Sequence, residues 1–197
     1  MRPLTPKLMN RFRSIRDMSR LARKVRSERL TYLGREKIAR LERELGRVNS
    51  KAVPGDFVEF GVVLGGSAAI IAAQARKRDR RFCGFDVFEM IPEPRSEKDD
   101  DQSRKRFEVI SAGKSTGIGG DTYYGYIDGL YDRVAETLAR HGTPLKEGRV
   151  ELHKGLFEHT LPGAGIDRIA FAHLDCDWYD PVSLCLNFVA PRLSPGG

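Results

Sequence analysis

The feature that most constrains the fold is a stretch with the pattern of a buried strand, a glycine turn and a helix. Residues 56–60 are largely apolar, and the turn that follows them contains Gly61, Gly65 and Gly66. The apolar run 68–75 comes next. Glycines allow a ligand to approach the backbone, and the first turn of a helix carries unpaired N–H groups. The stretch predicts a nucleotide-type pocket at the carboxyl end of a first strand in an α/β domain.

One acid lies inside this first strand. Burying the carboxylate of Glu59 is costly without a partner, which favours a ligand hydroxyl or ammonium group over a pyrophosphate. The glycine spacing is G-x-x-x-G-G, so the plain dinucleotide fingerprint G-x-G-x-x-G is not matched. A glycine turn between a strand and a helix also occurs for packing reasons alone, and both interpretations stay open.

Two further strands are predicted to end in acids. Asp86 ends the second, about 25 residues beyond Gly61, where an acid commonly bonds a ribose diol; a helix cap or a solvated strand end is the alternative. Asp175 and Asp177 follow a strand at 169–174 and share one side of it. Their carboxylates are the kind of ligand that Mg²⁺ takes. The alternative is an acid pair stabilised by the dipole of a helix that begins near Pro181. His173 is a weaker candidate for a proton acceptor, because it can simply be a packed core histidine.

The chain divides into a basic N-terminal helical extension, residues 1–50, and a domain over residues 51–197 with a lid-like insertion at about 90–129. Residues 1–49 hold 15 Lys or Arg against 5 Asp or Glu, which accounts for the net charge of +7. Apolar residues recur there at helical spacing, and we expect them to pack on the domain or on a second subunit, forming a homo-oligomer. Docking to an anionic membrane or an acidic partner is the alternative. The apolar residues at helical spacing are Phe12, Ile15, Met18, Ala22, Val25, Ile38, Leu41, Leu45 and Val48.

Composition excludes several classes. No run approaches the roughly 18 apolar residues of a membrane span, and the N-terminus lacks the apolar core of a secretory signal. Cys83, Cys176 and Cys185 have no metal-ligand spacing and cannot all pair, which favours a reducing cytoplasm. The domain itself is slightly acidic, so no nucleic-acid partner is expected.

Five sequence motifs together resemble the macrocin O-methyltransferase (TylF/MycF-like) family. They are YLGREKI at 32–38, VPGDFVEFGV at 53–62, FDVFEMIP at 85–92, GLFEHTLP at 155–162 and HLDCDWY at 173–179. The resemblance runs from about residue 31 to the end and matches poorly in the lid region. It implies a Rossmann-like class I methyltransferase fold, a mostly parallel sheet with flanking helices. It also implies a Mg²⁺-dependent enzyme that uses S-adenosyl-L-methionine to methylate sugar hydroxyls of natural products.

The resemblance implies a role for each matching residue. Glu59, Gly61, Gly65 and Ser67 would line the methionine and ribose part of the cofactor, beside Gly66 of the same turn. Asp86 would hold the ribose diol, and Phe157 and Glu158 would lie near the adenine. Asp175 would bind Mg²⁺ beside the acceptor hydroxyl with Asp177 next to it, and both acids are the candidate catalytic residues.

The chain stops at Gly197, where the family continues into a fifth strand that ends in two further acids. We therefore expect a truncated sequence whose C-terminal strands are missing. Two other functions stay open: a nucleotide-dependent oxidoreductase of Rossmann type, and a non-catalytic binding module with a vestigial pocket.

Overall fold

The computed structural model describes residues 18–197, so Phe12 and Ile15 of the predicted apolar stripe lie outside the described residues. Its centre is a parallel sheet of four strands, β1 (Asp56–Phe60), β2 (Phe82–Asp86), β3 (Val150–Lys154) and β4 (Ile169–Leu174). The strand order is β3-β2-β1-β4, and all three pairings are parallel. From β1 the chain adds β2 and β3 on one side of this strand and then crosses back to add β4 on the other side. Open α/β sheets bind ligands where the strand order reverses in this way, here between β1 and β4.

Helices cover both faces of the sheet. One face packs in a core with α1, α2, α3 and α5, and the other packs against the segment around α6 and against α7. Alternate residues of β1 divide between these cores, with Phe57 on one side and Val58 and Phe60 on the other. The predicted mostly parallel sheet with flanking helices is confirmed. The helices are α1 (Arg20–Ser27), α2 (Arg35–Ser50), α3 (Gly66–Arg76), α4 (Asp101–Ser111), α5 (Leu130–Arg140), α6 (Phe157–Thr160) and α7 (Tyr179–Val189).

The two N-terminal helices bury their apolar faces in the same core as the sheet. Ala22, Val25, Ile38 and Leu45 are fully buried, and both helices contact α3. Ser19 accepts the Ala22 N–H at 3.1 Å and so caps α1. In the described part of the extension, packing on the protein's own domain is therefore confirmed.

The predicted lid-like insertion, residues 90–129, has more regular structure than its sequence suggests. It contains α4, whose N-terminus is capped by Asp100 accepting the Ser103 N–H at 2.7 Å, and two short 3-10 turns, Ile118–Gly120 and Tyr124–Tyr126. Asp99 is buried, and its carboxylate accepts the Tyr179 N–H at the start of α7 at 2.8 Å. Asp100 and Asp99 therefore cap α4 and α7, respectively. Between residues 18 and 197 there is no helix with the length and apolar character needed to cross a membrane.

Candidate active site

One cleft of about 460 Å³ opens at the carboxyl ends of the strands. Gly61 follows β1, Asp86 ends β2, Phe157 follows β3 and Asp175 follows β4, and all four line it. Part of the insertion, from Ile91 to Asp99 and again at Tyr124, forms another wall. Of the ten residues predicted for the site, six line this cleft: Gly61, Asp86, Phe157, Glu158, Asp175 and Asp177.

Negative charge dominates the lining. Among the described lining residues, seven carboxylates face the cleft against one basic residue, Arg95. Carboxylates this close together lower the electrostatic potential inside the cleft, so a cationic ligand is favoured and a pyrophosphate is repelled. The seven are Asp86, Glu93, Asp99, Glu158, Asp175, Asp177 and Asp180.

Asp86 holds the two loops that flank it. Its Oδ2 accepts the Val63 N–H at 2.9 Å and its Oδ1 accepts the Phe88 N–H at 2.7 Å. Burial raises the pKa of this carboxyl, and the backbone N–H groups oppose that rise. Val63 and Phe88 both have positive φ, at 54° and 50°, which is strained for residues with bulky side chains. Asp86 therefore stabilises strained backbone after both β1 and β2 and still has lone pairs for a ligand hydroxyl.

The two acids after β4 differ in their surroundings. The Asp175 N–H donates to the Phe60 carbonyl at 2.8 Å and so extends the backbone hydrogen bonds between β1 and β4 by one residue. Its exposed side chain accepts no hydrogen bond from any described residue. Asp177, in contrast, accepts a hydrogen bond from Arg106 Nη1 of α4 at 2.9 Å. The acid pair is thus one free carboxylate and one ion-paired carboxylate.

Glu59 does not line the cleft, and its partner is a neighbouring strand residue. The sheet register places Glu59 opposite His173, and Glu59 Oε1 lies 2.9 Å from His173 Nδ1. Burial raises the pKa of Glu59, and the charge of Asp175 adds to that rise, while His173 and the nearby Ser67 oppose it. Burial lowers the pKa of His173, but the hydrogen bond to Glu59 and the negative charges of Glu59 and Asp175 together outweigh this, and the net pKa is raised. Both shifts favour keeping a proton on the pair. His173 is thus the partner of Glu59 Oε1, whereas Glu59 Oε2 is buried without a hydrogen-bond partner among the described residues.

The glycine turn makes close contacts with the protein chain itself. A Cβ at Gly61 would lie 2.6 Å from the Asp175 carbonyl oxygen, and one at Gly66 would lie 2.3 Å from the Leu30 carbonyl oxygen. Gly65 has φ +82° and faces Val134 of α5. The Gly66 N–H, expected to be unpaired, donates to Leu30 at 3.0 Å.

The packing interpretation of Gly65 and Gly66 therefore accounts for their contacts, and these two glycines lie outside the cleft lining. Ser67, in the first turn of α3, is also buried outside it. Gly61 brings the backbone of Asp175 close to β1, so this glycine positions the free acid.

Phe157 and Glu158 lie in the first turn of the short helix α6, directly after the end of β3. The Phe157 ring meets the buried Phe60 ring edge to face at 5.7 Å between centroids. Phe60 packs against Phe157, and Phe157 with Leu156 supplies apolar surface to the cleft beside its carboxylates.

A second cluster of metal-ligating side chains lies outside the cleft. Glu151 Oε2 is 3.8 Å from Cys83 Sγ and 3.6 Å from His153 Nε2. Burial raises the pKa of the Cys83 thiol to about 12. Arg81 Nη1 lies 3.6 Å from the same Glu151 oxygen, so a positive charge already balances this carboxylate. We assign the cluster to structural ion pairing.

The architecture agrees with comparisons to known proteins. A family model described as macrocin-O-methyltransferase (TylF) matches residues 9–197. This chain belongs to the TylF family. Its sheet with flanking helices is the Rossmann-like methyltransferase fold, as the sequence motifs implied. The solved structure of the O-methyltransferase NovP superposes with a TM-score of 0.67 at 26% identity, covering 84% of this chain and 63% of NovP.

Two curated relatives of this TylF family chain are named as O-methyltransferases, and the first name includes a rhamnosyl group. One, from Streptomyces olivaceus, is an 8-demethyl-8-(2,3-dimethoxy-alpha-L-rhamnosyl)-tetracenomycin-C 4'-O-methyltransferase, 31% identical over 170 residues, covering 85% of this chain and 59% of that protein. The other, the mycinamicin III 3''-O-methyltransferase of Micromonospora griseorubida, is 28% identical over 171 residues, covering 85% of this chain and 62% of that protein. The chain therefore spans about three fifths of the length of these relatives.

Sequence reasoning missed three contacts at this site. They are the Glu59–His173 pair, the Arg106–Asp177 pair and the Asp99 cap of α7. The alternation of β4 could have placed His173 on a defined face of the sheet, but only the strand register identifies Glu59 as its neighbour. No local signal in α4 marks Arg106, because basic residues are frequent there.

Proposed function

We propose that this protein is an enzyme that transfers a methyl group from S-adenosylmethionine to a hydroxyl of a sugar or glycosylated natural product, assisted by Mg²⁺. The observation that carries the proposal is the single acidic cleft that gathers Asp86, Phe157 and Asp175 at the strand ends. Its seven carboxylates favour a sulfonium, an ammonium group and a divalent cation. The same charge disfavours the pyrophosphate of a nicotinamide dinucleotide, which argues against the oxidoreductase alternative.

The cofactor side of the cleft is built from β1, β2 and β3. Asp86 is placed to accept hydrogen bonds from ribose hydroxyls through its remaining lone pairs, and Phe157 offers an apolar face to the adenine, with Glu158 beside it. When bound, S-adenosylmethionine supplies a methyl group already activated by the sulfonium. The cleft volume of about 460 Å³ lies in the range of small-molecule sites. In this proposal Gly65, Gly66, Ser67 and Glu59 support the cofactor side from outside the lining.

The metal side is built on Asp175. The donor set fits Mg²⁺, because a solvent-accessible carboxylate without a described hydrogen-bond donor is the kind of ligand this ion takes together with water and substrate oxygens. When bound, Mg²⁺ lowers the pKa of a coordinated hydroxyl. Asp175 is the residue we assign to accept the hydroxyl proton, and Asp177 is the second acid beside it. The insertion, residues 90–129, excludes water from the cleft as a lid.

The acceptor and the setting are part of the same proposal. The names of the two curated relatives support a sugar-containing small molecule as acceptor. A cytoplasmic location is supported by the three cysteines being unpaired thiols. Homo-oligomer formation through the N-terminal helices stays a prediction, since the described apolar faces of those helices are buried within the chain itself.

Calorimetric titration with S-adenosylmethionine, followed by mass-spectrometric detection of methyl transfer to glycosylated acceptors, tests the proposal. We expect binding by the wild-type protein and methylation that requires Mg²⁺. Asp175→Asn should lower the rate by about 10²-fold or more, the range for loss of a proton acceptor. Asp167→Asn is the matched control, because Asp167 is exposed and remote from the cleft lining. Binding of a nicotinamide dinucleotide but not of S-adenosylmethionine would overturn the assignment.

A further inference from the structure

We infer that Arg106 is a positioning residue: it holds the Asp177 carboxylate and thereby couples the insertion to the acid pair. The inference rests on the proposed methyl transfer and adds a residue that the sequence motifs do not include. Arg106 lies in α4 within the insertion, and its Nη1 is 2.9 Å from Asp177 Oδ1. Both side chains are partly exposed, so this ion pair alone would contribute little to holding the insertion in place.

Three more polar contacts join the same two segments. The Trp178 indole N–H donates to the Pro92 carbonyl at 2.7 Å, and the Tyr179 N–H donates to Asp99 Oδ1 at 2.8 Å. Lys98 Nζ donates to the Tyr179 hydroxyl at 2.8 Å. Residues 92–106 are therefore attached to residues 177–179 at four points, and several charge-assisted contacts acting together fix a geometry that one exposed pair cannot.

Arg106 is the attachment that reaches the acid pair itself. The ion pair with the Arg106 guanidinium restricts rotation of the Asp177 side chain and balances its charge. The Asp177 carboxylate is therefore a poor second ligand for a cation. Asp175 has no such partner among the described residues and keeps its oxygens available. Arg106 thus divides the roles of two acids that are only two residues apart, and it does so only while α4 stays attached to residues 177–179.

The positive charge of Arg106 also acts on two tyrosines. Burial raises the pKa of both Tyr32 and Tyr123, and the positive charge of Arg106 opposes the rise in each case. Tyr32 belongs to the connection between α1 and α2 and is 50% exposed. The charge of Arg106 therefore acts on the connection between α1 and α2 as well as on the acid pair.

The first test uses hydrogen exchange of the protein without ligands. Arg106→Gln should speed the exchange of amides in α4 by about fivefold, because one of four attachments is lost. Lys105→Gln is the matched control, since Lys105 is the exposed neighbour on the same helix and forms no described ion pair. Arg106→Lys keeps the charge and should restore most of the protection. Equal exchange in the Arg106→Gln and Lys105→Gln variants would overturn the inference, whatever the protein catalyses.

The second test separates positioning from stability. Arg106→Gln should lower kcat about tenfold and leave the affinity for S-adenosylmethionine within about twofold, because the cofactor residues at the ends of β1, β2 and β3 are untouched. Asp177→Asn should have a similar effect, and the double variant should be no worse than either single variant. Multiplicative losses would contradict coupling through this pair. If the wild-type protein failed to bind S-adenosylmethionine, the proposed function would be wrong, while the exchange experiment would still decide the attachment.

Discussion

Replacing Gly66 by alanine should destabilise the protein by about 2–3 kcal/mol, although alanine is the better helix former. Gly66 is the first residue of α3, and its backbone lies against the loop that joins α1 and α2. A Cβ at this position would lie 2.3 Å from the Leu30 carbonyl oxygen, 2.6 Å from the Leu30 carbonyl carbon and 2.8 Å from Val25 Cγ1. Two of these atoms are backbone and cannot move aside by changing a rotamer.

The magnitude follows from what must give way. The Gly66 N–H donates to Leu30 at 3.0 Å, and separating the two segments weakens a hydrogen bond that contributes about 1 kcal/mol. Overpacking that displaces backbone costs about 1–3 kcal/mol. The helix propensity of alanine offsets up to about 1 kcal/mol. A net loss of about 2–3 kcal/mol corresponds to a fall in Tm of roughly 4–12 °C for a chain of this size.

Urea denaturation followed by circular dichroism measures this loss, and α2 provides the matched control. Gly46 is exposed in the interior of that helix, and a Cβ there would meet nothing within 4 Å. Gly46→Ala should stabilise the protein by about 0.5–1 kcal/mol. If Gly66→Ala changed the free energy of unfolding by less than about 0.5 kcal/mol, the packing argument would be wrong. If it remained folded but lost affinity for S-adenosylmethionine selectively, the glycine would serve the ligand instead.

Two further predictions concern buried acids. Asp99→Ala should lower the free energy of unfolding by about 1–2 kcal/mol, because Tyr179 loses its N-terminal acceptor, whereas Asp101→Ala should cost less than about 1 kcal/mol; thermal denaturation distinguishes them. The pKa values of Glu59 and His173 are raised above their ordinary values of 4.5 and 6.5, so the native state binds more protons than the unfolded chain. The free energy of unfolding should therefore fall as the pH rises above 4.5, where Glu59 contributes, and further above 6.5, where His173 contributes. Glu59→Gln should flatten that slope, and an unchanged slope in denaturation curves collected across this range would refute the assignment.

Much of the architecture follows from local patterns. Buried strands, the glycine turn at 61–66 and the acids at strand ends each predict one element, and parallel pairing then brings the strand ends to one edge. For this reason Asp86, Phe157 and Asp175 were placed correctly in a common cleft. The insertion was described less well, because α4 has a modest apolar face that packs mainly at Ile110, and periodicity is weak where little is buried.

The sequence by itself determined the fold class, the family and which strand ends carry acids, because these depend on residue type, spacing and alternation along the chain. The tertiary structure decided which side chains pair. Glu59 and His173 are 114 residues apart, and Arg106 and Asp177 are 71 apart, so their contacts arise from strand register and from where α4 packs. It also decided that Gly65 and Gly66 face protein rather than the cleft. A local pattern indicates that a residue is small or charged, but the identity of its neighbour depends on how distant segments come together.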